Sequence, residues 1–364
     1  MSQLETTAYY AFGIPLYLAL MGAEHVAARR RGRPTASFPE TIGNLSAGLG
    51  AIVVGLFMGP LLILLYDTAY TRFALVRWGP STRVLPWVLA VVLTDLSHYW
   101  HHRVDHRVAA LWAVHGVHHQ PEELNFTVAM RHAWFSDIYA IPFYAPLPLL
   151  GVPTSHFFVA TTLLSLHALI THTREMNFPA LGLFVTPGSH ALHHARNPRY
   201  IDKNFGALLS IWDRIFGTHV EESPDEPPVW GTVRGYETHD GVLSQWILWR
   251  DLAVLVRASP GWRAKARVLL GKPGSAPPGV SLPPARPPPR SAHIPKKTKL
   301  FVLFQFALTV LCSSYVFVFR EDLGGLARAV SAGLVVLSLI TLGGLLDGRW
   351  NKARLPGRRV DCPR

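Results

Sequence analysis

The stretch 95–119, DLSHYWHHRVDHRVAALWAVHGVHH, holds two histidine groups: His102 and His106, spaced H-x3-H, and His115, His118 and His119, spaced H-x2-H-H. Residues three and four apart share one face of a helix, so each group aims several imidazoles at one spot. A packed core has no use for such convergence. A transition metal does, because neutral imidazole suits Zn, Cu, Fe and Ni. About seventy residues on, His190, His193 and His194 repeat the H-x2-H-H spacing, with His172 ahead of them. Fourteen of the eighteen histidines lie between His98 and His194. Nine grouped histidines exceed the three or four ligands of one zinc. They suit two metals, each keeping a position open for oxygen. Oxidising an unactivated C–H bond is chemistry that side chains lack and a metal supplies.

The elements that must hold these groups are membrane helices. The chain is 364 residues long, 49% hydrophobic and 16% charged, with a mean hydropathy of +0.21. Soluble domains run about 25% charged. The net charge of +12 does not point to nucleic acid, because no basic helix with interleaved aromatics and no binding module is present. The basic residues mostly flank apolar runs, as they do beside cytoplasmic lipid surfaces. Two cysteines, Cys312 and Cys362, with no CxxC, argue against a disulfide framework or a thiolate metal site. The first residues, MSQLETTAYY, lack the basic start of a signal peptide.

A span needs about 20 apolar residues. Candidate spans are 8–28, 42–66, 84–100, a hairpin over 137–171 broken by GVPTS, 300–319 and 325–346. The segment 242–257 mixes aromatics and charges as an interfacial helix does, or a buried soluble one. Residues 271–299 hold nine prolines and no apolar period, so they form a spacer. The expected division is an N-terminal membrane region over 1–83, a histidine-box domain over 84–220, an interfacial segment over 221–270, the linker 271–299, a helix pair over 300–346 and a basic tail over 347–364. The fold class is all-α: four core membrane helices in two hairpins, a histidine-rich cap and a C-terminal helix pair. Seven spans with an outside N-terminus put RRRGR, all three histidine groups, KKTK and the tail on the cytoplasmic side. Composition suggests a bacterial inner membrane.

The motifs resemble the fatty acid hydroxylase/sterol desaturase superfamily. DLSHYWHHRVDH is similar to its D-x3-YW-x-HR-x2-H box, HGVHHQPEELNFTVAMR to its second box, THTREMN to its single-histidine element, and TPGSHALHHARNPRYIDKNFGALLSIWDRIFGT to its third box. The HT element and the W-D-x2-FGT tail bring the chain nearest the alkylglycerol monooxygenase branch. The resemblance covers roughly 85–220. It implies metal ligands at His102, His106, His115, His118, His119, His172, His190, His193 and His194, two iron ions, O2, an electron donor that is tetrahydrobiopterin in that branch, and a lipid entering from the bilayer. The implied reaction hydroxylates the carbon next to an ether oxygen. Arg107 stands where that branch commonly has glutamate, and Ser189 where it has a further histidine.

Metal-bound imidazole usually donates its other N–H to a carboxylate or carbonyl, so Asp95, Asp105, Glu122 and Asp202 are expected beside the ligands. Asn125 and Arg131 match the family pattern, but a helix cap and a phospholipid contact explain them as well. Pro187-Gly188-Ser189 is expected to turn the chain and cap the third histidine helix. His98, His101, His132 and His167 are candidate ligands or their supports. His25, His156, His219, His239 and His293 are ordinary polar residues. Alternatives are a sterol or fatty acid hydroxylase or desaturase with the same boxes, a bis-histidine haem cytochrome, and a transporter. A cytochrome needs single histidines facing across the bilayer, and a transporter needs ionisable residues in mid-span; neither pattern is present.

Overall fold

A computed structural model describes residues 3–33, 36–78, 84–179, 182–235, 238–282 and 294–349. The proline run 283–293 and the tail from 350 lie outside the described residues. Three long helices come first: α1 (Gln3–Arg30), α2 (Phe38–Phe73) and α3 (Leu85–Asp105). Short helices α4 (Ala109–His115), α5 (Phe126–Ala129), α6 (Ser136–Tyr144) and α7 (Pro146–Leu149) lead to α8 (Thr154–Thr171). Then follow α9 (Pro187–His193), α10 (Ile211–Ile215), α11 (Ser244–Ala258), α12 (Gly261–Leu270), α13 (Lys296–Val318) and α14 (Gly325–Leu346). The described residues hold no strand, only isolated bridges such as Phe184 with Leu209.

Among the described residues, four helices are long and apolar enough to cross a membrane: α2, α8, α13 and α14. Their outward faces stay apolar, with Leu61, Leu64, Leu166, Phe304, Leu311 and Leu334 all exposed. In lipid such faces need no cover, because the helix satisfies its own backbone. Length and composition alone select these four, but the chain path goes further: Leu75, just past α2, donates its N–H to Leu149 O at the end away from the histidines, and α3 and α8 both run from that end back to them. Segments 8–28 and 84–100 do form helices, α1 and α3, but the histidine-bearing end of α3 and the Glu24-His25 end of α1 make them too polar to count. The 137–171 hairpin is real but unequal: a first arm of nine and four residues, α6 and α7, and an 18-residue return, α8. KKTK belongs to α13 rather than to the linker, and α12 follows where no helix was expected.

The C-terminal pair packs on α2, where Ile42, Leu49 and Val53 meet Val302, Val335, Leu339 and Leu342. Beside it α3 packs on α8, and Ala90 and Ala160 are fully buried there. Small residues let backbones close in. A side chain at Gly48 would run into the carbonyl of Met130, and one at Gly343 into Asp240. The 242–257 segment is a packed helix rather than a purely interfacial one. Leu252 and Leu255 of α11 are buried with Ala109 and Ala113 of α4, while Trp246 and Val254 remain exposed.

Candidate metal centre

The nine histidines sit at helix ends. His102 lies in the last turn of α3 and His106 caps it; His115 ends α4, with His118 and His119 in the turns beyond. His172 caps α8. His190 and His193 lie on α9 and His194 caps it. That seven-residue helix is set by a reciprocal cap. Thr186 Oγ1 accepts from Ser189 N at 3.1 Å and Ser189 Oγ accepts from Thr186 N at 2.9 Å. The N-cap is thus Thr186, and Ser189 is its partner three residues on.

The nine side chains form two sets. His102, His106, His115, His119 and His193 bring one ring nitrogen each to within 4.8 Å of one another, and so do His118, His172, His190 and His194. The sorting follows helical geometry. Residues four apart share a face, so the pairs 102/106 and 115/119 serve the first set and 190/194 the second. The odd member of each H-x2-H-H group crosses over: His118 joins the second set and His193 the first. The sets share a wall, because His119 stacks on His194 with ring centres 4.4 Å apart.

Tautomers decide what the sets can hold. A backbone carbonyl can only accept, so it fixes the proton on the nitrogen that faces it. His118 donates from Nδ1 to Arg131 O at 3.0 Å, and His172 from Nδ1 to Ala168 O at 2.5 Å. Their Nε2 atoms are then both bare lone pairs, yet they lie 3.1 Å apart. His190 and His194 add Nε2 atoms 2.9 and 3.2 Å from that of His172. In the first set His102 and His193 donate from Nδ1 to Phe205 O and Lys203 O, at 2.8 and 2.9 Å. Nε2 of His102, His106 and His193 is buried with no partner. Converging lone pairs repel unless a cation lies between them. Nitrogens about 2.1 Å from a shared metal lie about 3.0 to 3.4 Å from one another, depending on the angle between them, close to the 2.9–3.2 Å spacing of the second set. The residues fit a metal in each set.

Burial also keeps these rings neutral, as ligation requires. It holds His118, His119, His190 and His194 well below the usual imidazole range, helped by neighbouring imidazoles. The same burial takes His193 to about 4 and His172 to about 3.

The expected carboxylates divide. Asp105 Oδ2 lies 3.2 Å from His101 Nε2 and 3.8 Å from His115 Nδ1, and burial pushes its carboxyl up to about 8. Asp202, at a left-handed φ of 59°, sits 3.9 Å from His106 Nδ1 and forms an ion pair with Arg107 Nε at 3.0 Å. Asp95 touches no histidine. It accepts from Leu208 N, Leu209 N and Trp212 Nε1, tying α3 to the loop that carries Phe205. Glu122 pairs with Arg196 at the surface, 3.1 Å away. Asn125 caps α5, accepting from Thr127 N at 3.0 Å. Most support for the ligands thus comes from carbonyls, which sequence does not mark.

Arg131 makes no phospholipid contact, because it is fully buried. Its guanidinium donates to Val117 O, Asn44 Oδ1 and Gln120 Oε1, and its own carbonyl accepts from His118. Asp213 went unremarked in the sequence. It accepts from Phe205 N and Gly206 N, both at 2.8 Å, and so sets the carbonyl that His102 uses. The W-D-x2-FGT spacing carried that signal, since Thr218 also donates to Asp213. His98, His101, His132 and His167 fall in neither set. His156 stacks on Trp87, His219 faces Glu221, His239 is buried away from the centre, and His293 lies outside the described residues.

The fatty acid hydroxylase family model matches residues 87–218, which include all nine histidines. A human alkylglycerol monooxygenase is 28% identical over 95% of this chain and 79% of its own length. The Danio rerio alkylglycerol monooxygenase is 30% identical over 88% of this chain and 74% of its own. The chain belongs to the alkylglycerol monooxygenase family. It is a lipid hydroxylase of the membrane, and its histidine sets suit iron. A Rhizobium tropici ornithine lipid hydroxylase is 31% identical over 39% of this chain and 43% of that protein. No solved structure matches.

Proposed function

We propose that the chain holds two irons, one in each histidine set, and hydroxylates an ether lipid at the carbon next to the ether oxygen. The observation that carries this is the pair of buried nests of bare Nε2 atoms. His102, His106, His115, His119 and His193 would hold one iron, and His118, His172, His190 and His194 the other. Iron bound there supplies the O2-dependent oxidation of a C–H bond. The balance is C–H plus O2, two electrons and two protons to C–OH plus water, with a tetrahydropterin as the donor. The product is a hemiacetal, which collapses to a fatty aldehyde and glycerol.

The chain's own residues prepare the site. Arg131, Phe205, Lys203 and Ala168 fix tautomers through their carbonyls, and tight packing keeps bulk water from the ligand rings. Asp105 and Asp202 orient His115 and His106. The histidine-box region 84–220 acts as the catalytic unit, with 1–83 and 300–346 as its membrane support, 221–270 as a cap segment and 271–299 as a spacer. Its basic flanks support a cytoplasmic face for the boxes, and its composition supports a bacterial inner membrane.

The test supplies iron-loaded enzyme in detergent with a 1-O-alkylglycerol, tetrahydropterin and O2. Release of fatty aldehyde is expected. Hydroxylation or desaturation of a sterol or free fatty acid, with the ether lipid untouched, would instead place it with the other members of the superfamily.

A further inference from the structure

Three imidazoles and a phenol stand beside the metal sets without belonging to either. His98 meets His102 of the first set edge-on, ring centres 5.4 Å apart, and its Nδ1 is 3.3 Å from the Tyr144 hydroxyl. His132 lies parallel to His118 of the second set, at 5.8 Å and 9°. His101 contacts Phe143 and Tyr144 and turns its Nε2 to Asp105. The group therefore touches both sets from one side, between α3 and α6.

That side is also the open one. His132 is exposed, and His98, His101 and Tyr144 are partly so. The opposite side is closed: Phe205 has no exposure, and His193 only 4%. Outside the gap, α6 turns exposed Ile138 and Ile141 outward, beside exposed Phe135. A lipid chain arriving there meets apolar surface first and imidazoles next to the metals.

The tautomers give this wall two distinct functions. His132 is exposed beside the second set and, as a neutral imidazole, carries one bare acceptor nitrogen. With Tyr144 donating to Nδ1 of His98, that ring offers Nε2–H as a donor. A donor beside one set and an acceptor beside the other fit an ether oxygen flanked by a hydroxyl. They do not fit a plain alkyl chain, which would leave both nitrogens unpaired.

We propose that His98 and His132 are specificity residues, His98 holding the ether oxygen and His132 the neighbouring hydroxyl, with Tyr144 orienting His98. This rests on the hydroxylase reading above. It selects substrates by an oxygen on the reacting carbon rather than by chain length.

The test measures binding and turnover by the iron-loaded full chain, using 1-O-hexadecylglycerol and the analogue in which a methylene replaces the ether oxygen. Wild type should favour the ether by roughly tenfold or more. His98→Phe should bring that preference near one, and Tyr144→Phe should lower it part-way. His132→Phe should weaken both lipids alike while keeping the ether preference. Iron content should match wild type in all three. A full ether preference in His98→Phe with normal iron content overturns the proposal, as does a wild type that treats both lipids alike while still hydroxylating them. A wild type that loads iron but oxidises neither lipid contradicts the hydroxylase reading itself.

Discussion

At the scale of residues, the centre depends on which nitrogen of each histidine carries its proton. His118 and His102 show how this is set: each gives Nδ1–H to a carbonyl whose position a buried charged side chain fixes, Arg131 in one case and Asp213 in the other. Arg131→Met should leave the Asn44 and Gln120 side-chain oxygens and the Val117 carbonyl short of a donor, costing on the order of 3 kcal/mol of stability. It should also weaken metal retention in the second set before the first. Thermal unfolding in detergent, followed by metal analysis of the folded fraction, checks both. Asp213→Asn should act on the first set instead, through Phe205; equal loss from both sets would contradict that assignment. The ligands themselves were legible in the sequence because their spacing is local. Their sorting was not: adjacent His118 and His119 serve different sets, and only the packing of α9 against α8 shows it.

At the scale of elements, short helices aim the ligands and long ones anchor them. The helix α9 has seven residues, too few to persist without caps. Thr186→Ala removes one half of its reciprocal cap and should cost about 1 kcal/mol. The readout is a lowered melting temperature of the metal-free protein, and no change there would remove the cap from the account. Apolar length made α2, α8, α13 and α14 legible in the sequence, and the structure keeps all four. By the same measure α1 and α3 fall short, although α3 runs from the far end of α2 back to the histidines. A helix that ends in histidines and acids is apolar for part of its length only, and an apolar run does not show what covers it. The tie from Asp95 to Leu208, Leu209 and Trp212 was illegible for a further reason, since its partners lie more than a hundred residues away.

At the scale of the whole molecule, burying many neutral imidazoles ties stability to pH. The folded chain holds His118, His119, His190 and His194 far below the usual range, whereas an unfolded chain protonates them near 6.5. Below about pH 6.5 the unfolded state therefore binds more protons, and metal-free protein should lose stability steadily as the pH falls. Above that pH both states carry neutral rings and this dependence vanishes. Melting curves of metal-free protein between pH 8 and pH 5 should turn to a decline below about pH 6.5, after a gain near pH 8 from Asp105, whose carboxyl is pushed up to about 8 by burial; a rise that continues below about pH 6.5 would mean the rings are not buried neutral. The C-terminal pair adds to the same whole. Through α14 it packs on α2, and Asp347 accepts from His239 N at 2.8 Å, which fastens it to the cap segment ahead of α11.

The most direct test of the two-set centre is metal content of detergent-purified, iron-reconstituted protein, measured by elemental analysis on wild type, His118→Ala and His119→Ala. The account predicts about two irons per wild-type chain, with each variant losing chiefly one, from the second set in His118→Ala and from the first in His119→Ala. One iron or none in wild type, or a haem absorption band that neither variant disturbs, would contradict it.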